Sequence, residues 1–119
     1  MATHPDPVRF EIFLGEVKIG DFLLHNYDFP NAAGNFVRAD IADAALSTRL
    51  DAYMAFWVEA ERIGILDDYG ETWSEYVTVH EAEHTEMIVE GKWLARKPDG
   101  ETFEISPPVF HQANEISFR

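Results

Sequence analysis

The chain has no cysteine, so disulfides, thiolate metal sites and a cysteine nucleophile are all excluded. No stretch approaches the roughly 18 consecutive apolar residues of a membrane span. Residues 1–7 carry neither a basic segment nor an apolar run of the export type, and they read as a flexible lead-in. A soluble, cytoplasmic protein is the expectation. Basic residues are scarce as well: nine Lys and Arg stand against 22 Asp and Glu, a formal charge of -13. Such a balance repels nucleic acid and anionic membranes and favours basic protein partners. There is no Gly-rich phosphate loop, no calcium loop and no serine in a nucleophile elbow. No cofactor is expected.

What the chain does have is one domain's worth of apolar mass. Of its 119 residues 46% are hydrophobic, with nine Phe, four Tyr and three Trp, enough for a single core over 1–119. Residues 8–22 alternate so that Phe10, Ile12, Leu14, Val17 and Ile19 share a face across a Gly15-Glu16 turn, the pattern of a type II′ hairpin. The strand can continue to Tyr27. Pro30, Asn31 and Gly34 in "DFPNAAGNF" then read as breakers of a connecting loop.

Asp40 is placed to cap a helix with Asp43 in its first turn, and Leu46, Leu50, Tyr53, Met54, Trp57 and Ala60 recur at three- and four-residue steps. The spacing predicts a helix over 41–63, ended by Gly64, with Trp57 buried at mid-stripe. In the last third, "EMIVEGKWLAR" and "ETFEISPPVF" flank a Lys97-Pro98-Asp99-Gly100 turn, and "EISFR" forms a final strand. The fold class is α+β: an antiparallel β-sheet, made of an N-terminal hairpin and a C-terminal meander over 76–118, packed on one long α-helix.

The loudest local signal is "HEAEH". His80 and His84 carry the HExxH spacing of zinc peptidases, which works only on a helix, where both imidazoles share a face. A helix over 72–90 has support from Thr72 and Glu75 as a capping box. The β-branched run Val77, Thr78 and Val79 beside Tyr76 favours a strand instead. In a strand the two histidines stand about 13 Å apart, too far for one zinc. Glu83 adds a charge within the motif, and a third ligand from Glu86, Glu90, Glu104, Glu115 or His111 fits no known pattern.

The run "YVTVHEAEHTEMIVEGKWLARKPDGETFEISPPVF" resembles the C-terminal strands of the nuclear transport factor 2-like superfamily, which includes SnoaL-like polyketide cyclases. The resemblance covers about a third of the chain and lacks that family's two N-terminal helices. It implies a pocket between a curved sheet and a helix, often in a dimer, used for acid/base chemistry or for plain binding.

Three readings follow. The leading one is a non-catalytic protein-binding module, of the inhibitor or immunity-protein kind, in which a basic partner meets the segment 59–90. That segment holds ten acids against Arg62 alone, and Glu71, Glu75, Glu81, Glu83 and Glu86 are its candidate contacts. The second is a pocket domain binding or isomerising a small apolar molecule among Tyr53, Trp57, Trp73, Trp93 and Phe110. The third is a zinc hydrolase using His80 and His84.

Overall fold

The computed structural model describes residues 8–28 and 31–119. The flexible lead-in expected over 1–7 and the Pro30 breaker lie outside them. Seven antiparallel strands form one sheet: β1 (Arg9–Leu14), β2 (Val17–Asp28), β3 (Asn31–Arg38), β4 (Trp93–Arg96), β5 (Thr102–Glu104), β6 (Val109–His111) and β7 (Glu115–Phe118). Their spatial order is β5-β4-β1-β2-β3-β7-β6. The insertion between β3 and β4 holds α1 (Ala44–Asp67), α2 (Glu71–Glu81), a 3₁₀ turn at Ala82–His84 and the short α3 (Thr85–Ile88). The expected α+β architecture, with one long helix on an antiparallel sheet, is present.

The hairpin turns at Gly15 with φ of 62°, and Glu16 stays at negative φ, as a type II′ turn requires. A bulge between Ile12 and Phe13 shifts the β1–β2 register. The extra residue is Ile19, which turns inward beside Ile12, while Val17 at the hairpin end is 37% exposed instead of joining the buried face. The 97–100 turn closes as expected, with the Gly100 amide donating to the Lys97 carbonyl at 2.9 Å.

Three expectations are corrected. The connecting loop over 31–36 is β3, which pairs with both β2 and β7 and buries Ala32 and Phe36. Gly34 breaks nothing there. A Cβ at Gly34 would stand 2.0 Å from the Leu23 carbonyl oxygen, so glycine is what lets β3 approach β2 so closely.

Second, α1 is capped by Asp43, not Asp40: the Asp43 carboxylate accepts from the Leu46 amide at 3.1 Å. The helix also passes through Gly64 and ends at Asp67. Its buried stripe is Leu46, Leu50, Tyr53, Phe56, Ala60 and Gly64, so Phe56 takes the place expected of Trp57, which is half-buried beside Met54.

Third, residues 76–84 are helical, and the meander begins only at Trp93. The Asp67 carboxylate accepts from the amides of Thr72 and Trp73, at 2.8 and 3.2 Å, and so caps α2 from the preceding helix. Thr78 returns its hydroxyl to the Ser74 carbonyl at 2.8 Å. The β-branched run costs a helix only some tenths of a kcal/mol per residue. Packing Tyr76 on Phe56 of α1, with ring centroids 6.0 Å apart, outweighs that cost.

The core lies between the sheet and α1. Tyr53, fully buried, meets Trp93 and Phe110, each at 5.8 Å between ring centroids. The outer face of β4, β1 and β2 carries an ion cluster in which Arg96 Nη2 donates to Glu11 Oε1 at 2.6 Å. Lys18 Nζ there bridges Glu11 and Asp21 at 3.1 Å each. No helix of the described residues is long and apolar enough to cross a membrane.

Candidate functional site: the acidic helical hairpin

No residue of α2 is buried, so this helix is an outrigger carried by α1 and not part of the core. Its exposed positions include Glu71, Glu75 and Glu81, and Glu83 and Glu86 follow in the short turns beyond it. All five candidate contacts are exposed. Glu71 and Glu75 stand one turn apart on the outer side. Glu86 is paired with Arg49 of α1 at 3.2 Å, and Glu83 stands 3.4 Å from His80 Nδ1. Glu71, Glu75 and Glu81 make no ion pair among the described residues.

The bend between the helices is unusual in two ways. Asp68 and Tyr69 are consecutive non-glycine residues in the left-handed region, at φ of 51° and 53°. Aspartate tolerates that geometry, whereas tyrosine disfavours it at about 1 to 2 kcal/mol. The bend also exposes Ile65, Leu66 and Tyr69 by 60%, 75% and 53%. The Tyr69 ring sits on Gly64, where a Cβ would lie 2.3 Å from Cε1, and meets Trp73 edge-on at 5.4 Å. Gly64 therefore serves as a flat seat for the ring of a strained tyrosine.

His80 and His84 line the seam between the helices. His80 packs on Tyr76 at 4.4 Å, and His84 on Phe56 at 5.0 Å and Tyr53 at 5.9 Å. Beyond Glu81 the chain passes into a 3₁₀ turn at Ala82–His84, and the two rings pack on different neighbours. Among the described residues no three His, Asp or Glu side chains gather as a metal-binding group.

The aromatic candidates divide. Tyr53, Trp93 and Phe110 are buried in the core, where Tyr53 meets each of the other two, and Trp57 lies at 6.3 Å from Tyr53. Trp73 lies apart, at the hairpin bend. Burial pushes the Tyr53 hydroxyl above its ordinary range, and it donates to the Pro108 carbonyl at 2.7 Å.

Sequence reasoning overlooked Ile65, Leu66 and Tyr69 as a group. The signal was an apolar pair directly before Asp67-Asp68, off the buried stripe of α1. No protein family, curated protein or solved structure matches the chain.

Proposed function

We propose that this protein works by binding a basic protein partner through the tip and outer face of the α1–α2 hairpin. The observation that carries this reading is the exposed apolar trio Ile65, Leu66 and Tyr69, set at a strained bend among Asp67, Asp68 and Glu71. Apolar side chains ringed by like charges form the pattern of an interface centre with a polar rim. The net charge of -13 favours a basic partner. The acids steer the encounter, and the trio supplies the area removed from water on contact.

Backbone strain at Tyr69 supports the same reading, because the bulky side chain held at positive φ packs on Gly64 and Trp73 and is still half exposed. Reversal of Glu71, Glu75 and Glu81 to Lys tests the steering half. Partner capture at low salt should be lost while the far-ultraviolet circular dichroism is retained. Capture of the same set by the reversed protein refutes the reading.

A further inference from the structure

Away from the hairpin tip, three side chains from three elements form a continuous hydrogen-bonded series. Glu61 of α1 contacts His111 Nδ1 through Oε2, and the Gln112 amide donates to its Oε1 at 3.3 Å. The other ring nitrogen, His111 Nε2, stands 2.8 Å from Ser117 Oγ. A carboxylate can only accept, so the proton sits on Nδ1, and in the neutral ring Nε2 then accepts from the serine hydroxyl. This is the connectivity of an acid, a base and a serine nucleophile.

The sheet register sets it up. Ile116 and Phe118 point into the core, so Ser117 faces outward on β7, and His111 lies on the edge strand β6 two residues beyond Val109, the register partner of Ser117. Ser117 also opens into a shallow cavity of about 350 Å³ lined by the apolar residues Pro107 and Val109. Arg119 lines the same cavity and holds the Asn31 side-chain oxygen through Nε at 3.1 Å.

We propose that Ser117 is a nucleophile activated by His111, with Glu61 as the positioning residue, and that the site acts on carboxylic esters with a small apolar acyl group. Ser117 Oγ bonds to the ester carbonyl carbon while its proton passes to His111 Nε2. The oxyanion collapses with cleavage of the bond to the alcohol, which leaves with that proton. Water attacks the acyl-serine by the same route, releasing the acid and restoring Ser117. Since β7 is paired on both sides at Ser117, with Ala33 and with Val109, the cationic donor that the cavity offers an oxyanion is the Arg119 guanidinium, in place of a backbone amide. Turnover is therefore slow, and the covalent adduct is the better readout.

The site is independent of partner binding at the hairpin tip. The full chain is treated with an alkyl fluorophosphonate, which forms an Oγ–P bond and releases fluoride with the serine proton, and is then mapped by mass spectrometry. One adduct at Ser117 is expected, absent from Ser117→Ala. Labelling of His111→Ala should be slower on the order of a hundredfold, and added imidazole should partly restore it. Glu61→Gln should slow labelling, and Glu61→Asp should recover part of the rate. A folded wild type that stays unlabelled at Ser117, labelling elsewhere, or a rate indifferent to His111→Ala overturns the proposal and leaves the series as a tie between α1 and the sheet edge.

Discussion

The Tyr53 hydroxyl donates to the Pro108 carbonyl across 55 positions of sequence, and both groups are buried. This bond fastens the middle of α1 to the segment leading into β6. Tyr53→Phe leaves the carbonyl without its partner and should cost about 1 to 3 kcal/mol, read as a lower urea midpoint at unchanged slope. The hydroxyl's raised pKa adds an alkaline signature. The stability it represents is whole below the unfolded value of 10.0 and is lost as pH rises above it, and Tyr53→Phe should flatten that loss.

Gly34→Ala places a Cβ against the Leu23 carbonyl, which cannot swing aside as a side chain can. The expected result is a loss of about 1 to 3 kcal/mol or more, with amide-exchange protection falling first in β3 and β7. An unchanged thermal midpoint would show that the β2–β3 spacing is looser than described.

Glu11 is held below its ordinary carboxylate range first by Arg96 and then by Lys18. A depressed carboxyl contributes stability above its unfolded value of 4.5 and loses it as pH falls. Lys18 is raised, chiefly by Asp21 and then Glu11, so its contribution is whole below 10.5 and lost above. Between these limits stability should be flat with respect to this cluster, and Glu11→Gln should remove the acid limb of the difference from wild type. The cluster is part-exposed, so added salt should shrink the effect.

The parts of the fold that local chemistry decides were legible in the sequence. The Gly15-Glu16 hairpin, the α1 stripe around Leu46, Leu50 and Tyr53, and the Lys97–Gly100 turn each follow from short-range patterns that packing did not overrule. The strand predicted over 76–84 failed because the propensity of Val77, Thr78 and Val79 was set against tertiary facts the sequence hides: Asp67 capping α2 from another helix, and Phe56 waiting for Tyr76. Gly34 and Gly64 failed as breakers for a shared reason. Each is needed for close approach, by a backbone oxygen in one case and a tyrosine ring in the other. Of the candidate site, the acidic segment was visible in composition. The apolar trio depended on the Asp68-Tyr69 bend, and the series of Glu61, His111 and Ser117 joins residues distant in sequence without a local motif.

The central claim is that the hairpin tip is a specific contact surface and not merely a patch of negative charge. Ile65→Ser with Leu66→Ser tests it most directly, because the net charge stays at -13 and the substituted side chains are already 60% and 75% exposed. Wild type and the double variant are compared for partner capture at about 0.15 M salt, where screening confines electrostatic reach to about 8 Å. The account predicts a defined basic partner retained by the wild type and lost by the variant, with equal thermal midpoints. If both proteins retain the same partners, the exposed apolar trio has no part in binding, and the claim is wrong.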